Sequence, residues 1–189
     1  NYNALFGTNA GTAITTGSFN TFLGVFSGDA IIDSNSNVAV GYSALSSDTK
    51  GAKSVAVGVS TLLNQNFTTA TDTYNVAVGH NAGKAVTTGV FNTLIGALAG
   101  DALTVGGEND VLGLGALTAD TKGSHTVAIG RGTLEAQNFT TATDVYNVAV
   151  GSFAGRNVTT GIKNIFIGGL AGDATTDADE NVAIGYDSL

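Results

Sequence analysis

Few residues in this sequence have types and spacing suited to chemistry. Gly106-Gly107-Glu108-Asn109-Asp110-Val111-Leu112-Gly113 looks like a calcium-binding nonapeptide. Such sites draw ligands from successive nonapeptides. This stretch occurs once, so a metal is not the preferred reading. Asp29, Asp101 and Asp173 each follow a Gly and recur every 72 residues. At the coil spacing derived below they stand about 19 Å apart within one chain, against calcium–oxygen distances of about 2.3–2.6 Å. They read as solvated turn residues, and only a symmetric assembly would gather three copies around an ion. Asp177, Asp179 and Glu180 form an acidic turn, and His80 and His125 have no repeated partner. No Ser/His/Asp arrangement and no unique carboxylate pair at the about 5–10 Å needed for sugar hydrolysis can be proposed. The chain is therefore not expected to be an enzyme, and no cofactor is expected. The glycosylation sequons at Asn66, Asn138 and Asn157 read as coincidence in a chain this rich in Asn and Thr.

What would position any site is dictated by composition and repetition. The 189 residues include 27 Gly but no Pro, Cys, Met or Trp, and only 12% are charged. Absent Cys excludes disulfides and thiol chemistry. A net charge of −8 argues against a nucleic-acid surface, which needs clustered Lys and Arg. No run of about 18 apolar residues is present to span a bilayer as a helix. A hydrophobic share of 43% excludes a disordered tract.

A five-residue unit recurs: a polar residue, three residues that are mostly apolar, then Gly. It starts at Asn3, Asn20, Asn37, Ser54, Asn75, Asn92, Asn109, Thr126, Asn147, Asn164 and Asn181, with spacings of 17, 17, 17 and 21 residues that then repeat. The supercycles are 3–74, 75–146 and a partial 147–189. Local echoes confirm the longer period, above all Gln65 to Asp72, which is identical to Gln137 to Asp144. Such repetition predicts a solenoid. The unit is short, β-branched and bounded by Gly, as in Asn75-Val76-Ala77-Val78-Gly79, so each copy predicts a strand ending in a tight turn. The fold class is therefore all-β: one parallel β-solenoid or β-roll of about 11 coils over residues 1–189. Coils pairing about 4.8 Å apart would stand roughly 50 Å tall.

Successive strand side chains point to opposite faces. The residue before the motif Gly is always apolar (Phe6, Leu23, Val40, Val57, Val78 and onward). So is the one before it: Leu5, Phe22, Ala39, Ala56, Ala77, Leu94, Val111, Ala128, Ala149, Phe166 and Ala183. A strand wetted on one side alternates polar with apolar, and this one does not. One column fills the coil and the other needs a cover. A thin coil has no second layer to give, so the cover is expected to be another copy of the chain. The column Ala39, Ala56, Ala77, Leu94, Val111, Ala128, Ala149, Phe166 and Ala183 is expected to form the oligomer interface or core. A small residue follows three positions after each motif Gly. The next position alternates between Gly (Gly11, Gly28, Gly83) and Leu (Leu45, Leu62, Leu117) with the four-coil cycle.

Val55-Ala56-Val57-Gly58 with Thr61, and Val182-Ala183-Ile184-Gly185 with Ser188, resemble the head repeat of trimeric autotransporter adhesins. Asn37 to Leu45 is also similar to repeats of phage tail-fibre-like proteins. The resemblance implies a left-handed parallel β-roll and a homotrimer about a central axis. The aliphatics flanking the central Ala would fill each roll, and the small residues would face the axis. Coils of 17 or 21 residues are longer than the adhesin coil, Phe22 and Phe166 depart at the central position, and no adhesin stalk or anchor is seen.

The 21-residue coils add Phe67, Thr68 and Thr69, and their copies Phe139, Thr140 and Thr141, as display or bracing loops. Bracing of neighbouring chains is favoured, because an exposed Phe in each supercycle invites aggregation. The expected function is a structural repeat of an extracellular fibre, an adhesin head or tail-fibre shaft that supplies length, stiffness and attachment. Its partners are expected to be itself and a host-surface glycan or protein. The alternatives are a glycan- or ice-binding face and a head-to-tail filament. The repeat is cut in mid-cycle at both ends, which predicts a segment of a longer repetitive protein.

Overall fold

The computed structural model describes residues 2–189. Eleven three-residue strands carry the repeat: β1 (Ala4–Phe6), β2 (Thr21–Leu23), β3 (Val38–Val40), β5 (Val55–Val57), β7 (Val76–Val78), β8 (Thr93–Ile95), β9 (Asp110–Leu112), β11 (Val127–Ile129), β13 (Val148–Val150), β14 (Ile165–Ile167) and β15 (Val182–Ile184). They stack in chain order into one parallel sheet. Two short pairs, β4 (Gly51–Ala52) with β6 (Thr71–Asp72) and β10 (Gly123–Ser124) with β12 (Thr143–Asp144), flank the 21-residue coils. The described residues contain no helix. The chain is a parallel β-solenoid of about eleven coils, with strict register: Leu5 pairs Phe22, Ala39 pairs Ala56 and Ala56 pairs Ala77. Outside the strands the backbone is also bonded coil to coil, as in Gly11 N–H to Ser27 O at 3.0 Å and Ser36 N–H to Ser18 O at 3.1 Å.

Two local constraints keep each strand to three residues. The residue before the polar motif position is left-handed, as at Ser36 with φ 61° and Tyr74 with φ 49°. The motif Gly ends the strand at a φ only Gly adopts comfortably, +144° at Gly24. Any side chain there is also blocked, because a Cβ on Gly24 would lie 2.3 Å from the carbonyl oxygen of Gly41 in the next coil.

The faces are the reverse of those the adhesin resemblance implies. Phe22, Ala39, Ala56, Ala77, Leu94, Val111, Ala128, Ala149, Phe166 and Ala183 all lie inside the coil and are buried by this chain alone. They form its core and are not free to meet a sister molecule. The aliphatics on either side of them point outward. The reason is volume. Across the coil from each central residue lies the position four after the motif Gly, and the two exchange bulk. Phe22 is accompanied by Gly28 and Phe166 by Gly172, where an added Cβ would come within 2.5 Å and 2.3 Å of the ring. Ala56 and Ala128 are accompanied instead by Leu62 and Leu134, both fully buried. Phe at the central position is thus ordinary packing, and the Gly/Leu alternation is its complement.

The polar motif position is an inner staple. Asn37 Oδ1 accepts the Ser54 backbone N–H at 2.8 Å while its Nδ2 donates to Gly51 O at 2.9 Å. The same pair of bonds recurs at Asn92, from the Asn109 N–H at 3.1 Å and to Gly106 O at 3.0 Å. Buried amides satisfied on both sides in this way specify register. Ser54 and Thr126 lack the amide, and there the longer coil supplies a glutamine. Gln65 Oε1 accepts from Asn75 Nδ2 at 2.8 Å, and Gln65 Nε2 donates to Asp48 Oδ2 at 2.6 Å and Ser54 Oγ at 2.9 Å. The buried Asp48 also accepts the Gly51 and Phe67 backbone N–H groups, both at 3.0 Å. Those bonds draw the insertion inward. Phe67 and Phe139 are only 7% exposed within their own chain. They neither brace a neighbour nor form a displayed apolar tip, whereas Thr68, Thr69, Thr140 and Thr141 are exposed.

Candidate interaction surface

The sheet's outer face is made by the first and third residue of each strand. The third-position rail runs Phe6, Leu23, Val40, Val57, Val78, Ile95, Leu112, Ile129, Val150, Ile167 and Ile184 and is apolar throughout. The first-position rail is apolar except at Thr21, Thr93 and Asp110. These side chains are half-buried or exposed: Leu23 is 46% exposed, Leu112 49% and Ile167 40%. Ten intervals of about 4.8 Å make the face about 50 Å tall, and a three-residue strand makes it about 10 Å wide. The flanking exposed columns roughly double that width. An apolar strip of this size exceeds the few hundred Å² usual on a monomer.

One border of the face is a ladder of left-handed residues. Tyr2 stacks on Phe19 with centroids 5.4 Å apart, and Tyr74 stacks on Phe91 at 5.8 Å. His125 stacks on Tyr146 at 4.9 Å and lies 3.3 Å from Glu108 and 3.5 Å from Asp144. Lys53, the counterpart of His125 one supercycle earlier, lies 4.9 Å above the Tyr74 ring. Its Nζ is 2.6 Å from Asp72 Oδ2, and this contact holds its pKa above the usual lysine value. The rings already cover one another's faces and present mainly their edges to solvent. The ladder therefore reads as a surface clamp between coils. The sequence signal was present in the residue that precedes every motif Asn, but only coil stacking shows that these residues touch.

The scattered chemical groups do not converge. Among the described residues, no three His, Cys, Asp or Glu side chains are grouped to hold a metal ion. Asp101 accepts the Thr118 hydroxyl. Asp29, its counterpart, has an enclosed Oδ1 without a hydrogen-bond donor, and burial raises its pKa despite a backbone hydrogen bond. Asp173 is half-buried and His80 is exposed. Asp177 accepts from the Thr176 hydroxyl at 3.2 Å, and Asp179 accepts the Ile162 N–H at 2.8 Å. The threonines that raise an ice-binding face donate to the coil above: Thr87 to Thr104 O at 3.1 Å, Thr104 to Thr121 O at 2.9 Å and Thr121 to Phe139 O at 2.8 Å. They stitch coils together and are not a free array of hydroxyl donors. Asn66, Asn138 and Asn157 are exposed.

No family model, curated protein or solved structure matches this chain.

Proposed function

We propose that this chain is a structural segment of an extracellular fibre whose copies meet through the outer face of the eleven-stranded sheet. A homotrimer is the stoichiometry that the repeat resemblance implies. The carrying observation is the pair of outward aliphatic rails, interrupted only at Thr21, Thr93 and Asp110 over the whole height of the solenoid. With its borders the face offers about 1,000 Å², against about 800 Å² per partner in a stable complex. The work of such a segment is mechanical. Coil-to-coil backbone bonds and the Asn staples set its length and stiffness, while the turns remain free for attachment.

The test is the mass in solution by sedimentation equilibrium, combined with Val57→Glu on the outer face. The expected mass is a multiple of 18.8 kDa, threefold for the trimer. Val57→Glu should return the chain to the monomer with its β-sheet circular dichroism intact. A wild-type monomer at micromolar concentration would overturn the reading. An assembly indifferent to Val57→Glu would place the contact elsewhere.

A further inference from the structure

One place breaks the repetition of the surface. Both arginines of the chain, Arg131 and Arg156, lie against the ring of Phe153, with guanidinium carbons 5.3 Å and 5.0 Å from its centroid. The Phe153 ring folds over Gly132, where a Cβ would come within 2.6 Å of it. One coil further on, the same column holds Gly115, whose missing side chain faces open space with no atom within 4 Å. Leu98 closes the far side, and Leu114 flanks the opening. The result is a notch of about 270 Å³, two coils tall.

The supercycles are identical at about half their positions, yet the lining differs throughout. In the first supercycle Phe26 stands for Leu98, Tyr42 for Leu114, Ser43 for Gly115, Val59 for Arg131, Asn81 for Phe153 and Lys84 for Arg156. There Phe26 and Tyr42 pack edge to face, with centroids 6.2 Å apart. The second supercycle has removed the rings and the side chains from the floor and added two guanidiniums.

We propose that this notch binds a carboxylate-bearing sugar ring. Arg156 is neutralised by Glu135 at 2.9 Å, whereas Arg131 makes no ion pair among the described residues. The lining therefore carries a surplus of one positive charge, which suits a monoanionic carboxylate better than a dianionic phosphate. A guanidinium stacked on an aromatic ring is pre-oriented, so its planar fork loses little freedom on pairing with a carboxylate. Leu98 and Leu114 offer apolar walls to the C–H face of a pyranose. The oxygen of Glu135 not bonded to Arg156 accepts a sugar hydroxyl. An extended peptide suits the notch less, because the local backbone is already paired coil to coil: Gly115 N–H to Ala97 O and Gly132 N–H to Leu114 O, both at 3.0 Å. The site lies within one chain and does not depend on how the copies assemble.

The experiment is calorimetric titration with sodium glucuronate, with amide-shift mapping to locate the site. Dissociation in the low-millimolar range is expected, about −4 kcal/mol. Shifts should centre on Gly115 and Gly132 and spare Ser43. Glucose, acetate and N-acetyl-leucine should each bind at least about tenfold more weakly. Arg131→Ala should cost about tenfold or more, and Gly115→Leu should abolish binding by filling the notch. The fold should tolerate that leucine, because Leu98 occupies the same column at φ 59°. Shifts away from the notch, equal binding of acetate or N-acetyl-leucine, or an unchanged affinity in Arg131→Ala would overturn the proposal. Loss of binding without loss of assembly would separate it from the fibre reading.

Discussion

In supercycle 3–74 the Gln65 amide donates to Asp48 at 2.6 Å, and in supercycle 75–146 Gln137 donates to Asp120 at 2.7 Å. Phe67 and Phe139 are equally buried above them. On the outside the two stretches part: Lys53 becomes His125, Val59 becomes Arg131 and Tyr42 becomes Leu114. A coil's interior touches the coil below and the coil above, so a change there must be matched twice. An outward side chain meets at most its neighbours in the column. Repetition is therefore enforced from inside, and individuality can accumulate only outside or in matched interior exchanges such as Phe22 with Gly28 for Leu94 with Gly100.

The sharpest way to break this contrast is to place the same charge on adjacent residues. Ala77 is fully buried, and Val78 points outward on the same strand. Ala77→Asp should cost at least about 4 kcal/mol, since it buries a carboxylate with no donors. Val78→Asp should cost the isolated chain less than about 1 kcal/mol and act mainly on assembly. Urea midpoints would measure both, and equal losses would refute the facing described here. A step smaller, Gln65→Leu and Gln137→Leu should each cost about 2–4 kcal/mol, because each strands an Asn amide and removes a donor from a buried carboxylate. Matching losses are expected, since both supercycles use the glutamine in the same way.

Where the interiors themselves differ, the effects should be finer. Thr73 shares a 2.5 Å hydroxyl contact with Ser54 and donates to Ala52 O at 2.9 Å, whereas its counterpart is Val145. Thr73→Val imports the second supercycle's solution. It should cost about 0.5–1.5 kcal/mol, because Ser54 keeps its contact with Gln65. Thermal melts would read it.

Coil number, strand positions and the four-coil cycle were legible because Gly spacing and β-branched runs report local backbone directly. The direction of each column was not. Period-two alternation says that Ala56 and Val57 face opposite ways, not which of them faces in. The information lay in a correlation: Phe22 with Gly28 and Phe166 with Gly172, against Ala56 with Leu62, implies two positions sharing one volume. The inward turn of Phe67 was hidden differently. It depends on Asp48, nineteen residues earlier, which accepts the Phe67 N–H only after the coils have stacked. The notch was out of reach for the same reason, since Arg131 and Phe153 stand on different coils.

The smallest expected effect concerns Asp29 and Asp101, which occupy one position in the two supercycles. Asp101 has the Thr118 hydroxyl, and Asp29 has an enclosed oxygen with no donor. Burial raises the Asp29 pKa above 3.8, so the native state takes up its proton at a higher pH than the unfolded chain. Ionised Asp29 therefore destabilises the fold above its native pKa, and that penalty is relieved as pH falls through the native pKa toward 3.8. Asp29→Asn should stabilise the chain at pH 7 by roughly a few tenths of a kcal/mol, an amount kept small by solvent screening. The gain should disappear at pH 3, where the wild-type carboxyl is already neutral. Asp101→Asn should show no such gain, because it weakens a made hydrogen bond. Urea midpoints of the two variants at pH 3, 5 and 7 would measure the difference, and a pH-independent Asp29→Asn effect would remove burial as its cause.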